Sequence, residues 1–138
     1  MATIGIIGLG NMGGPMAANL VKAGHTVFGY DIAEAAIEAA SLDGCTIVDS
    51  TAEAATDRDV VITMLPAGKH VIAIYEEIKS HVRPGALLID CSTIDIASAK
   101  QAHEIARSIG AMSVDAPVSG GIMGAINGTL TFMAGGAE

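Results

Sequence analysis

Short apolar runs alternate with stretches of helical apolar spacing along the chain, and that alternation confines it to the α/β class. Thr3 to Gly8 reads as a buried strand. Asn11 to Ala23 reads as a helix with Met12, Met16, Leu20 and Ala23 on one side, closed by Gly24. His25 to Tyr30 is a second strand and the alanine-rich Ala33 to Ser41 a second helix. Thr46 to Val48 is a short strand, followed by a small helix that a hydroxyl of Ser50 or Thr51 can cap. Asp59 to Leu65, Ala86 to Asp90 and Met112 to Asp115 are further strands, with helices expected over Gly68 to His81 and Ile96 to Ile109. Leu130 to Met133 ends the readable pattern. Such a series predicts a Rossmann-type doubly wound, mainly parallel sheet with helices on both faces, and a ligand at the carboxyl ends of its strands.

The composition agrees with that architecture. The 138 residues suit one domain, and 51% of them are apolar while 3% are aromatic, so small aliphatic side chains must fill the layers. Seven basic residues against fifteen acidic ones give a formal net charge of −8. Nucleic acid and anionic membranes are therefore poor partners, since both need a positive patch. Residues 1–21 and 116–137 carry no charge, but Asn11, Asn19, Pro15 and five glycines interrupt the first segment, and Pro117, Asn127 and several glycines the second. Neither reads as a targeting or spanning segment. Cys45 and Cys91 are far apart and form no CxxC pair, which points to a thiol-keeping, cytoplasmic setting and no metal site.

The first strand runs into Gly8-Leu9-Gly10-Asn11-Met12-Gly13, a G-x-G-x-x-G sequence that opens a helix. Gly8 allows a tight turn, Gly10 leaves room for a pyrophosphate against the backbone, and Gly13 lets helix and strand pack closely. The amides at the helix start, among them those of Asn11 and Met12, supply partial positive charge. An acidic residue, Asp31, ends the second strand 18 residues beyond Gly13. A carboxylate there accepts bonds from ribose hydroxyls and repels a 2′-phosphate, and Ile32 to Ser41 contain no Lys or Arg. The expected cofactor is NAD rather than NADP. Asp31 can alternatively cap the next helix, and the two roles are compatible.

The run GLGNMGGPMAANL with the following KAGH resembles the amino-terminal signature of the β-hydroxyacid dehydrogenases, and three later segments agree. They are TMLPAGKHV at 63–71, LLIDCSTID at 87–95 and DAPVSGGIMGAINGTLTFMAGG at 115–136. Within that family the resemblance is greatest to the 3-hydroxyisobutyrate dehydrogenases of valine breakdown. It implies that Leu65 and Pro66 lie against the adenosine half of the cofactor and that Thr93 stands beside the nicotinamide ribose. It also implies that Ser119, Gly120 and Gly121 hold the carboxylate of a small hydroxy-acid substrate. Without the resemblance, Leu65-Pro66 is an apolar strand stopped by Pro, and Ser92 or Thr93 is an N-cap. Ser119-Gly120-Gly121 is a loop of exposed amides, and Gly124 and Asn127-Gly128 simply connect strands. His70 stands near the cofactor where many relatives have an asparagine. The remaining histidines show no ligand spacing, with His25 in a helix-to-strand loop and His103 on a helix facing water.

Oxidising a hydroxyl carbon also requires a group to take the hydroxyl proton. In the family it is a lysine on a long later helix, within G-x-x-G-x-G-x-x-x-K-x-x-x-N, and none of Lys22, Lys69, Lys79 and Lys100 stands in that context. The resemblance therefore implies no catalytic residue within the chain and puts the family's lysine beyond Glu138, in a segment that follows Gly135-Gly136-Ala137-Glu138. The expectation is an NAD-binding domain over 1–138, inactive alone, whose parent is a homo-oligomer with an all-helical second domain. Without that domain it should expose apolar surface. A tartronate semialdehyde reductase of the same family and a non-catalytic dinucleotide-binding module remain the alternatives.

Overall fold

The structure is a computed structural model that describes residues 1–136. Glu138, the residue beyond which the family's lysine is expected, lies outside the described residues, as does Ala137. The strands are β1 Thr3–Ile7, β2 Thr26–Tyr30, β3 Thr46–Ile47, β4 Val60–Thr63, β5 Leu87–Asp90, β6 Met112–Asp115, β7 Val118–Ser119, β8 Thr131–Phe132 and β9 Gly135–Gly136. The helices are α1 Gly13–Lys22, α2 Glu34–Leu42, α3 Thr51–Ala55, α4 Gly68–Ile78, α5 Ile96–Ser108 and α6 Gly121–Asn127. Six strands run parallel in the order β3-β2-β1-β4-β5-β6, and β9 pairs antiparallel with β6 at the far edge. Strand order reverses between β1 and β4, which opens a crevice at their carboxyl ends.

Alternating side chains divide the interior into two apolar layers, as strand geometry requires. Ile7, Val61 and Leu88 face α3, α4 and α5. Ile4, Ile6, Val27 and Ile62 face α1, α2 and α6. Alanines fill the helix side of both layers, among them Ala17, Ala54, Ala55 and Ala106, each 0–1% exposed. Small residues let the helices lie close to the sheet, which explains how a chain with few aromatics packs densely.

The carboxyl-terminal part departs from the expected pattern. Gly124 and Asn127 belong to the helix α6, and Ser119 pairs with Thr131 in a two-stranded ribbon of β7 and β8. Two glycines within seven residues hide this helix from any propensity reading. Tertiary contacts form it: the Asn19 side chain of α1 donates to the Ala125 carbonyl at 2.6 Å, and Gly128 ends the helix in the left-handed region.

Candidate dinucleotide site

At the end of β1 the chain must turn within one residue, and Gly8 does so with φ +102°. Its amide donates to the Tyr30 carbonyl at 3.0 Å, and a Cβ there would lie 2.2 Å from the Met64 carbonyl oxygen. Gly13 seats α1 on this turn, because its Cβ would come within 1.8 Å of the Gly8 carbonyl oxygen. Gly10 differs: nothing lies within 4 Å of where its Cβ would be. That side of the turn is open. Helix α1 starts after Met12 with no side chain capping it, so amide dipoles at its amino end remain available to an anion.

Asp31 binds the turn from the neighbouring strand. One carboxylate oxygen accepts from the Leu9 amide at 2.7 Å, and the other accepts from the Ala33 amide at 2.9 Å. Helix α2 starts after Ala33 with no side chain capping it, so Asp31 is not its cap; the bond from Ala33 closes a short turn ahead of α2, and the bond from Leu9 clasps the glycine turn. Each oxygen keeps a further lone-pair direction for a ligand hydroxyl.

A cleft of about 520 Å³ runs along this crevice, walled by Gly8, Gly10, Asp31, Leu65, Pro66 and His70, with Tyr30, Ile32, Ile74 and Glu77 among the residues completing it. Ile32, 89% exposed, offers an apolar surface next to Asp31, and Glu77 at the other wall is bonded by the Thr51 hydroxyl at 3.3 Å. Asn11 and Met12 lie in the turn ahead of α1. Thr93 is exposed in the turn beyond β5 and is not part of the cleft wall. Ser119 and Gly120 are exposed at the β6 side of the sheet, and Gly121 begins α6.

Neither Ser92 nor Thr93 is an N-cap. Asp95 caps α5, accepting from the Ser98 amide at 3.0 Å, and bonds to Ser98 hold its carboxyl below the usual range. Ser92 is instead buried, and its hydroxyl oxygen accepts from the Leu65 amide at 2.7 Å, joining the two turns at the ends of β4 and β5. Behind it Asp90, 3% exposed, accepts from the Thr63 hydroxyl at 2.9 Å and the Ser92 amide at 3.1 Å. Burial pushes the Asp90 carboxyl up, opposed by the bonds from Ser92 and Thr63. The sequence held the signal for this group, since Thr63, Asp90 and Asp115 are polar residues at matching positions in three apolar runs. His103 also differs from expectation. It is half-buried, and its Nδ1 meets the Ser113 hydroxyl.

A second, apolar cavity of about 440 Å³ lies between α1, α6 and the sheet, lined by Met16, Leu20, Ile89, Cys91, Leu130 and Phe132 among others. Ile122, Met123, Ile126, Phe132 and Met133 are each about half exposed nearby. Both cysteines are free and buried, and burial pushes the thiols up to about 11 for Cys45 and about 12 for Cys91. Among the described residues no helix is long and apolar enough to cross a membrane.

A 3-2-1-4-5-6 sheet with an uncapped, glycine-seated helix start and a carboxylate at the switch point defines a dinucleotide-binding domain. Residues 3–138 match the family described as the NAD binding domain of 6-phosphogluconate dehydrogenase, and the chain belongs to that family. It is 49% identical over its whole length to a probable 3-hydroxyisobutyrate dehydrogenase of Mycobacterium tuberculosis, and 45% identical over 99% of its length to an NAD-dependent L-serine dehydrogenase of Pseudomonas aeruginosa. The chain spans 47% of each of these relatives. It superimposes with a TM-score of 0.98 on the solved structure of Mycobacterium tuberculosis 3-hydroxyisobutyrate dehydrogenase with L-serine, at 49% identity, covering 100% of this chain and 47% of that one.

Proposed function

We propose that the cleft binds NAD with its diphosphate over Gly10 and the amides of Asn11, Met12 and Gly13, and its adenosine ribose on Asp31. Leu65 and Pro66 lie against the adenosine, His70 stands at the same wall, and Thr93 meets the nicotinamide ribose. The observation that carries this reading is the open side of Gly10 beside a carboxylate whose two oxygens are already fixed by backbone amides. The residues fit the cofactor, because the turn presents donors and open space where a diphosphate needs them, and an acceptor where a ribose has hydroxyls. The acidic pair Asp31 and Glu77 in one cleft disfavours a 2′-phosphate and so favours NAD over NADP. Titrating the chain with NADH and NADPH, following nicotinamide fluorescence, tests this. NADH should bind more tightly, and Asp31→Ala should erase the preference. Equal affinity of the wild-type chain for both overturns the assignment.

We further propose that the chain is the cofactor-binding part of an oxidoreductase that oxidises 3-hydroxyisobutyrate to its semialdehyde. NAD would supply the hydride acceptor. Ser119 with the amides of Gly120 and Gly121 would anchor the substrate carboxylate, and the hydroxyl proton would pass to a lysine beyond Glu138. Only a protein carrying that lysine should turn over, so 3-hydroxyisobutyrate oxidation by the chain alone would count against this division. L-serine is the second reading, favoured by the identity to the L-serine dehydrogenase. The two acids share a carboxylate and a 3-hydroxyl, and differ in carrying a methyl or an ammonium at the intervening carbon. Relative kcat/KM of the longer protein for the two decides, with tartronate semialdehyde reduction as the third arm; activity on none favours a non-catalytic module. We also keep the cytoplasm as the location, which suits two free buried thiols, and a homo-oligomeric parent.

A further inference from the structure

Beneath the cleft, three polar side chains stand in register on one face of the sheet: Thr63 of β4, Asp90 of β5 and Asp115 of β6. Neighbouring parallel strands lie about 4.8 Å apart, so the carboxyls of Asp90 and Asp115 are side by side. One oxygen of Asp90 is saturated by Thr63 and Ser92. The other, Oδ2, is buried without a partner, and so is Oδ1 of Asp115. Both residues border a gap of about 10 Å³ that also touches Tyr75 of α4 and His103 of α5. That gap admits at most one water, since a water needs roughly 10–15 Å³.

Two ionised carboxylates here would place two like charges side by side with a buried, unpartnered oxygen on each, a costly arrangement for buried polar atoms. A proton on one carboxyl supplies the missing donor and removes the like-charge repulsion. We propose that Asp90 and Asp115 share a single proton, and that the neutral Asp90 carboxyl is thereby a positioning residue that fixes the Ser92 turn and, through it, the Leu65 turn that walls the cleft. Its path to the cleft is short: Asp90 holds the Ser92 amide, and the Ser92 hydroxyl holds the Leu65 amide. Burial raises both carboxyls, and His103 opposes the rise at Asp115. The other titratable groups facing the pair are Tyr75, pushed up by burial, and Cys91, pushed up to about 12, so both are neutral over the range concerned. His103 is the residue at the gap that can carry positive charge, and it faces Asp115 rather than Asp90's bonded oxygen.

The effect on cofactor binding rests on the NAD reading; the shared proton and the turn geometry do not. The test uses the chain labelled with ¹³C at the aspartate carboxyl carbons, titrated from pH 3 to 9. Amide hydrogen exchange at Leu65 and NADH affinity are followed in parallel. One proton should persist on the pair well above the ordinary carboxyl range, and Asp115→Asn, which offers Asp90 a donor and removes its charged neighbour, should lower the Asp90 midpoint by at least one pH unit. Asp90→Asn mimics the neutral acid and should leave Leu65 exchange and the NADH Kd within twofold of wild type, whereas Asp90→Ala should raise both at least tenfold. If Asp90→Ala does not fold, Asp115→Asn and Asp90→Asn decide. Ordinary independent titration of both carboxyls, an unmoved Asp90 midpoint in Asp115→Asn, or an Asp90→Asn chain whose Leu65 exchange rises tenfold overturns the proposal. Failure of the wild-type chain to bind NADH overturns the NAD reading instead, and the carboxyl titration with Leu65 exchange then decides the shared proton.

Discussion

The same methyl group should do opposite things at two glycines of one turn. In Gly13→Ala the new Cβ lies 1.8 Å from the Gly8 carbonyl oxygen and 2.8 Å from its carbon, both backbone atoms that no rotamer change can move aside. Helix α1 must lift by more than ~1 Å to restore van der Waals contact, disturbing Met16 and Ala17, which are 7% and 0% exposed. Overpacking of this kind costs about 1–3 kcal/mol, and a purely backbone clash belongs at the upper end. At about 3 kcal/mol the Tm should fall by roughly 6–12 °C for a chain of this size. In Gly10→Ala the methyl meets nothing within 4 Å, so the Tm should stay within about 2 °C of wild type. It does occupy the space proposed for the diphosphate. Losing one charge-assisted bond there, worth about 1.5–3 kcal/mol, should weaken NADH roughly 10- to 150-fold. Calorimetry and fluorescence titration on the two variants separate the effects. A Gly10→Ala chain that melts as early as Gly13→Ala, or that binds NADH as wild type does, refutes the reasoning.

Three other outcomes are expected. Cys45 and Cys91 should resist iodoacetamide at pH 8 in the native chain while both react in denaturant, because burial raises their thiols to about 11 and about 12; mass spectrometry reads the difference. Asp90 and Asp115 keep their protons longer folded than unfolded, so their contribution to stability is full below the ordinary carboxyl value and is lost as pH rises through the raised folded ones. Denaturant unfolding from pH 4 to 8 should therefore show Asp90→Asn gaining on wild type as pH rises. Asn19→Ala removes the donor to the Ala125 carbonyl and should speed amide exchange in α6 while leaving β1 and β4 protected.

How far residues reveal structure depends on whether the deciding forces are local. Strands β1, β4 and β5 are apolar runs buried within the sheet, and the glycine turn needs its residues for reasons internal to a few neighbours, so both are legible. Asp31 is legible as an acidic strand end, but its bond to the Leu9 amide crosses 22 residues of sequence and has no local signature. Helix α6 is not legible, because two glycines oppose it and it depends on Asn19 more than 100 residues away. His103 reads as solvent-facing when helix spacing is considered alone; its contact with Ser113 depends on how α5 docks on β6. Ser92 carries no distinguishing mark, because it fits a cap equally well; Asp90 is marked only as a polar residue ending an apolar run, and strand register alone brings it beside Asp115.

The glycine turn is held at Leu9 by Asp31 and at Gly13 by the backbone beneath it, so it is assembled before any ligand arrives. A preorganised cradle has no ordering step to wait for, which leaves long-range electrostatics to govern the encounter. The chain carries a net −8 and a dinucleotide diphosphate is also anionic, so the approach is against the overall field. Added salt should then accelerate association, the reverse of what it does to a nucleic-acid binder, by shortening the reach of that repulsion.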